Sequence, residues 1–355
     1  MTTTSSVAIA QVPTVDFSPF LRDEGIVVGD PPTAEQLEVA RQIDDSCRGS
    51  AFLHIVNFGL TRELRDAAFL ESKHLFELKQ DHKESQLRRI HPNTNTGYSP
   101  LFSENINRSQ RSHPEAKEAF NVRWEQHEDD GTNDFTGCPP DFSPMVEALQ
   151  ACLQRAAHRY AMACALALGL PTEFFSQSLA HMNLCTLRFL HYPPYDEYSD
   201  QEPMPARIGE HTDFGIFTFL LLGDTGPEGL QIKPVLGGDT TETGSEGWFD
   251  VKLSENDNHN NSVGTIVNTG ALMARWINDE WRATAHRVLI QNKQQASRSR
   301  YSIACFVDPD KSHMVSVHDR FTHHGTVAKK YEPITSSDYL MQKLQSMMNQ
   351  KADVK

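Results

Sequence analysis

The chain has 355 residues, 38% of them hydrophobic, and a formal net charge of −14. That balance repels phosphate backbones unless basic residues segregate, and the densest basic runs, Arg88-Arg89 and Arg298 to Arg300, are short, so nucleic acid is excluded as an expected partner. No apolar run approaches the roughly 20 residues that cross a bilayer, and six cysteines without a CxxC spacing fit a reducing cytoplasm better than a zinc or disulfide scaffold.

Residues 1–11 lack the basic stretch and apolar core of a secretory signal and read as a disordered leader. Pro13 to Phe17 predicts a strand, and Thr33-x-x-Gln36 caps a helix with Leu37, Ala40, Ile43 and Cys47 on its apolar side. Ala51 to Val56 reads as a strand, Thr61 to Leu78 as a helix, and Ile90 to Asp141 as an irregular, polar stretch of the kind that forms functional loops. Ser143-Pro144 opens the clearest helix, which carries Val146, Leu149, Leu153, Ala157, Tyr160 and Cys164 and stops at Gly169.

From Leu184 the texture changes to short strands: Cys185 to Tyr192, Phe214 to Leu222, Leu230 to Pro234, Gly247 to Val251, Thr265 to Thr269, Arg287 to Gln291 and Tyr301 to Val307. Strands without intervening helices imply an antiparallel barrel or jelly roll. Gly237 to Glu246 and Ser254 to Ser262, the latter holding His259, read as solvated insertions, His323-His324 as an exposed pair, and Ser336 to Gln350 as a closing amphipathic helix. The predicted fold class is mainly β with helices (α+β), a distorted double-stranded β-helix packed on an N-terminal helical region. Its parts are the leader, an N-terminal helical and lid region at 12–183, a jelly-roll core at 184–310 and a C-terminal segment at 311–355.

One stretch carries chemistry. His211 and Asp213 stand two residues apart at the head of the apolar run Phe214 to Leu222, so in extended chain both face one side and can bind one metal. His127-Glu128-Asp129 has the same pattern, and His82-Lys83-Glu84 and His113-Pro114-Glu115 a looser version, but all lie in polar or Pro-containing segments. His286 is the best third ligand, completing the two-His-one-carboxylate set of non-haem Fe(II) oxygenases. Arg300 and Ser302 share a strand face, where a guanidinium fork and a hydroxyl can hold a carboxylate. Tyr192 either adds its hydroxyl to that carboxylate or fills the barrel mouth as an apolar ring.

The succession LRFLHYPP (187–194), GEHTDFGIFTFLLL (209–222), GLQI (229–232), VNTGALMARWINDEWRATAHRV (267–288) and RYSIACFVDP (300–309) resembles the isopenicillin N synthase-like branch of the Fe(II)/2-oxoglutarate dioxygenases. VPTVDFSPF (12–20), AFLHIVNFG (51–59), GYSP (97–100) and KEAFNV (117–122) extend the likeness in the same order, over about residues 12 to 345. Two departures concern Ala271, where many relatives have an acidic residue, and Leu190, where many plant members have Asn. Asn292 to Ser299 reads as an enlarged hairpin loop.

The resemblance implies His211, Asp213 and His286 as iron ligands, and Arg300, Ser302 and Tyr192 as the seat of the distal carboxylate of 2-oxoglutarate. It also implies O2 as co-reactant, with ascorbate as a reductant, and an enzyme that oxidises a C–H bond of a small metabolite by hydroxylation, desaturation or ring closure while converting 2-oxoglutarate to succinate and CO2. Strand parity adds Phe217, Phe219 and Phe306 as substrate-facing residues, and the lid segment adds Tyr98, Phe102 and Arg123. Arg188 points inward, either to hold a substrate carboxylate or to make a structural salt bridge. The alternatives are an Fe(II) oxidase of the isopenicillin N synthase type that needs no 2-oxoglutarate, and a non-catalytic jelly-roll binding module. A monomer or weak homo-oligomer is expected.

Overall fold

Short runs of alternating apolar residues build two sheets that face each other. The computed structural model describes residues 8–21, 31–87, 96–106, 114–124, 133–195, 206–233, 247–253, 263–322 and 325–349. In chain order the strands are β1 (Ala8–Gln11), β2 (Thr14–Asp16), β3 (Phe52–Val56), β4 (Gly97–Ser99), β5 (Glu118–Arg123), β6 (Thr186–Tyr192), β7 (Ile208–His211), β8 (Phe217–Leu222), β9 (Leu230–Lys233), β10 (Phe249–Lys252), β11 (Gly264–Thr269), β12 (Ala285–Val288) and β13 (Arg300–Val307). The helices are α1 (Ala34–Arg48), α2 (Arg62–Glu77), α3 (Gln80–Gln86), α4 (Phe142–Ala167), α5 (Glu173–Ser176), α6 (Ala271–Trp276), α7 (Lys293–Ala296) and α8 (Ser336–Asn349).

The larger sheet runs β2-β3-β11-β8-β13-β6-β5-β4 and the smaller β1-β10-β9-β12-β7. Between them Phe52, Leu230, Ile232, Ile266 and Val288 form one apolar cluster, and Ala119, Leu190, Tyr192 and Ala304 another. The outer face of the larger sheet is covered by helices. α4 lays its buried stripe of Val146, Leu149, Leu153, Ala157 and Tyr160 there, and burying that many large side chains contributes about 1.5–3 kcal/mol each before entropy is subtracted. α1 starts at a capping box, Thr33 accepting from the Gln36 amide at 3.2 Å while the Gln36 side chain accepts from the Thr33 amide at 2.9 Å.

Several expectations need correction. Ala8–Gln11, assigned to the leader, form β1, parallel to β10. The stretch from 90 to 141, read as irregular, supplies β4 and β5, which extend the larger sheet past β6; their pairing is long-range and leaves little local signature. β12 begins two residues earlier than expected, which puts His286 inside the strand, opposite His211. The segment 292–299 is not a plain hairpin loop, because the Asn292 side chain accepts from the Gln295 amide and starts α7. His127-Glu128-Asp129, both insertions with His259, and His323-His324 lie outside the described residues.

Two glycines let three backbone segments touch beside Asp213. A Cβ on Gly270 would lie 2.1 Å from the Gly215 carbonyl oxygen, and one on Gly215 would lie 2.5 Å from that of Val307. The approach is held by Gly270 N–H to Ile216, Ala271 N–H to Asp213 and Ile216 N–H to Val307, at 3.0, 2.8 and 2.9 Å. The backbone around Asp213 is thereby tied to β13 and to the start of α6. Gly270→Ala is expected to lower the unfolding free energy by about 1–3 kcal/mol in urea titrations, whereas an unchanged midpoint would show that these segments are free to part.

Candidate metal centre

His211 ends β7, Asp213 follows in the turn, and His286 lies on β12 directly across from His211. One ligand atom from each lies within 4.8 Å of the others. His211 Nε2 is 3.6 Å and His286 Nε2 3.7 Å from Asp213 Oδ1. Each imidazole has its other nitrogen against a carbonyl, Nδ1 of His211 at 2.8 Å from Gly209 O and Nδ1 of His286 at 3.1 Å from Thr284 O. Those carbonyls accept only from a protonated Nδ1, so both Nε2 lone pairs face the common point.

The two carboxylate oxygens of Asp213 are differentiated. Oδ2 accepts from Thr218 Oγ1 at 2.6 Å and from Asn268 Nδ2 at 2.7 Å, leaving Oδ1 toward the imidazoles. Burial alone would raise the Asp213 carboxyl, but the two histidines and these hydrogen bonds outweigh it and hold the group below its usual range. Burial, with His286 beside it, lowers His211 to about 4, so its imidazole is neutral at physiological pH. Asp308 packs near Gly215, and burial together with the Asp213 charge pushes it up to about 7. Such a donor set, two imidazoles and one carboxylate on one side, fits a divalent metal with open positions.

On the inner face of the larger sheet, Arg300 of β13 is 1% exposed, and its Nε and Nη2 are buried without a partner among the described residues. Its Nη1 donates to Ser302 Oγ at 3.4 Å, that hydroxyl reaches Tyr192 Oη at 3.5 Å, and the guanidinium lies 4.9 Å from the Tyr192 ring centroid. Two orphaned donors of a buried fork fit a carboxylate. Arg207, which sequence reasoning missed, has its guanidinium 5.8 Å from the same ring centroid and donates to the carbonyls of Gln295 and Arg298. Burial, then the charge of Arg300, lowers Arg207 to about 10, so two guanidiniums share this end of the barrel.

The substrate-facing candidates divide. Phe306 shares the inner face with Ala304, beside Leu190 and Tyr192. Phe217 and Phe219 do not: both rings pack on Tyr160 of α4, at 4.9 and 5.7 Å, because the turn from Thr212 to Ile216 breaks strand parity. Thr218, Leu220 and Leu222 face inward instead. Tyr98 likewise faces the helices, buried, with its hydroxyl on Glu118. Phe102 is exposed at the surface in a positive-φ turn. Arg188 does point inward, but Glu104 engages it in a direct ion pair, and Glu104 also takes Lys117 at 3.0 Å. Arg123 donates to the Asn183 carbonyl at 3.0 Å.

The donors that fix Asp213 were not singled out from the sequence, although Thr218 stands in a run of apolar residues and Asn268 interrupts another. Thr218→Val removes one bond to Oδ2 while keeping the shape of the side chain. It should weaken Fe(II) binding roughly 10–100-fold in anaerobic titrations, and an unaltered affinity would mean that Asp213 needs no such support.

Comparison with known proteins fits this geometry. Residues 12–143 match the model of the N-terminal region of non-haem dioxygenases in morphine synthesis, and residues 183–309 that of the 2OG-Fe(II) oxygenase superfamily. The chain is 28% identical over 341 residues to the 2-oxoglutarate-Fe(II) type oxidoreductase hxnY of Emericella nidulans, covering 92% of this chain and 87% of that protein. It is 25% identical to isopenicillin N synthase of Streptomyces clavuligerus, covering 96% of each. The crystal structure of a full-length Neurospora crassa protein in complex with alpha-KG and thymine superposes with a TM-score of 0.77 at 26% identity, covering 94% of this chain and 96% of that one. The chain belongs to the 2-oxoglutarate- and Fe(II)-dependent oxygenase superfamily.

Proposed function

We propose that this chain holds one Fe(II) on His211, Asp213 and His286 and seats the distal carboxylate of 2-oxoglutarate on Arg300, with Ser302 and Tyr192 helping. In this reading it oxidises a C–H bond of a small-molecule metabolite. The observation that carries it is the buried Arg300 fork, whose Nε and Nη2 have no partner among the described residues, on the inner face of the larger sheet, across the interior from the histidines of the smaller one. Iron and cosubstrate together supply the O2 chemistry, in which hydroxylation balances as substrate, O2 and 2-oxoglutarate giving hydroxylated product, succinate and CO2.

The chain's own residues orient and shield. Asp213 offers Oδ1 because Thr218 and Asn268 occupy Oδ2, and the Gly209 and Thr284 carbonyls fix the imidazole tautomers. Arg300 and Arg207 favour a dianionic cosubstrate, while Leu190, Leu220 and Ala304 keep the wall between carboxylate seat and metal dry. Phe306 and Arg123 remain as substrate-lining residues. Ascorbate serves as reductant, the partner is a small molecule and not nucleic acid, and the chain acts as a monomer or weak homo-oligomer. Six unpaired thiols fit a cytoplasmic location; among the described residues no helix is long and apolar enough to cross a membrane.

A second reading follows from the isopenicillin N synthase relative: an Fe(II) oxidase that uses Arg300 for a substrate carboxylate. Succinate separates the two. The first reading expects succinate from 2-oxoglutarate in the presence of Fe(II) and O2, and a roughly hundredfold weaker 2-oxoglutarate affinity in Arg300→Leu, the order expected when a buried charge pair loses one member. Substrate oxidation without succinate would contradict it.

A further inference from the structure

A further unsatisfied polar group lies on the inner face of the larger sheet, and it is neutral. Asn121 on β5 is 1% exposed, and both Oδ1 and Nδ2 are buried without a hydrogen-bond partner among the described residues. An amide left so is destabilising by about 1–3 kcal/mol relative to a satisfied one, and Leu would fill the same volume without that penalty. Unmatched donor and acceptor on one side chain therefore mark a place where another molecule completes the pair.

The register says where Asn121 points. Phe120 and Val122 belong to the cluster under the helices, whereas Ala119 packs with Leu190, Tyr192 and Ala304 on the inner wall, so Asn121 shares the inner face. It pairs across β6 with Arg188, then with Ala304 on β13 and Leu220 on β8. On one side of this row lies the row of Ala119, Leu190, Ser302 and Leu222, at the carboxylate seat. On the other lies the row of Arg123, Thr186, Phe306 and Thr218, and Thr218 holds Asp213. Asn121 thus stands level with the space between carboxylate seat and metal, three strands across from β8, about 14 Å along the curved sheet at ordinary strand spacing.

Beside Asn121, the cation on the neighbouring strand is already engaged, and Arg123, two residues along β5, donates to the Asn183 carbonyl. Arg188 and Lys117 face Glu104 and Glu115, two cations against two anions joined by direct ion pairs. A substrate carboxylate placed beside Arg188 would have to displace Glu104. A neutral group meets no such competitor.

We infer that Asn121 is a substrate-recognising residue that pairs with a neutral group offering one donor and one acceptor side by side, a carboxamide or lactam, at a distance from the carbon that reacts. This deepens the oxygenase reading and rests on it. Expecting a carboxylate from Arg188 is replaced by expecting an amide from Asn121.

Three isosteric probes read the hydrogen-bond code directly: benzamide has a donor and an acceptor, benzoate two acceptors, benzamidine two donors. They are titrated calorimetrically into the full chain loaded anaerobically with Fe(II) and 2-oxoglutarate. The wild type should prefer benzamide to both others by about tenfold, the worth of one good hydrogen bond. Asn121→Asp should shift the preference to benzamidine, and Asn121→Leu should abolish discrimination while raising Tm. The proposal is overturned if benzoate or benzamidine binds best to the wild type, if Asn121→Asp keeps the wild-type order, or if no probe binds although 2-oxoglutarate does. Failure of 2-oxoglutarate itself to bind would instead overturn the broader reading.

Discussion

Everything at the centre depends on how one carboxylate is shared. Asp213 would be free to rotate and to chelate with either oxygen were Oδ2 not committed to Thr218 and Asn268. Because those donors come from β8 and β11, adjacent strands of the larger sheet, while the histidines come from β7 and β12 of the smaller one, the bonds to Asp213 fasten the sheets to each other where His211, Asp213 and His286 meet. The Gly215 and Gly270 contact performs the same task for the backbone. Rigid support of this kind lets a site with few protein ligands keep open positions without collapsing.

Elsewhere on the wall, polar atoms are left unsatisfied, and this costs stability. Arg300 Nε and Nη2, Arg207 Nε and both amide atoms of Asn121 are buried without partners among the described residues. Apolar cores avoid such atoms, and natural proteins concentrate the exceptions where ligands bind. Their arrangement is graded: cations at the carboxylate seat, a neutral amide farther out, and a neutralised set of ion pairs between Arg188, Glu104, Lys117 and Glu115. On the proposed reading, such a gradient would separate a dianionic cosubstrate from a neutral substrate by electrostatics before shape is considered.

Much of this was legible in the chain. His211, Asp213 and His286 are brought together because strand period and a long-range register agree, and Arg300, Ser302 and Tyr192 meet through adjacent strands. Parity failed where backbone left the strand: six residues separate His211 from Phe217, which predicts one face, but the intervening turn reverses it. Arg188 was readable as inward, yet its partner Glu104 lies 84 residues away, and no local pattern announces it. Asn121 had a signal, since it shares parity with Arg123 and alternates with Phe120 and Val122. Pro13 to Phe17 and Thr33 to Cys47 were readable because a cap or a run of alternation is local; β4 and β5 were not, because they are defined by what they pair with.

The central claim is that one Fe(II) and one 2-oxoglutarate occupy the two prepared places between the sheets. Anaerobic crystals grown with both, with data collected at the iron edge, test it most directly. The account predicts one anomalous peak bonded to Nε2 of His211, Nε2 of His286 and Oδ1 of Asp213, and a carboxylate on Arg300 that uses Nε and Nη2. Iron at any other place, or Arg300 turned away from the cosubstrate, would contradict it.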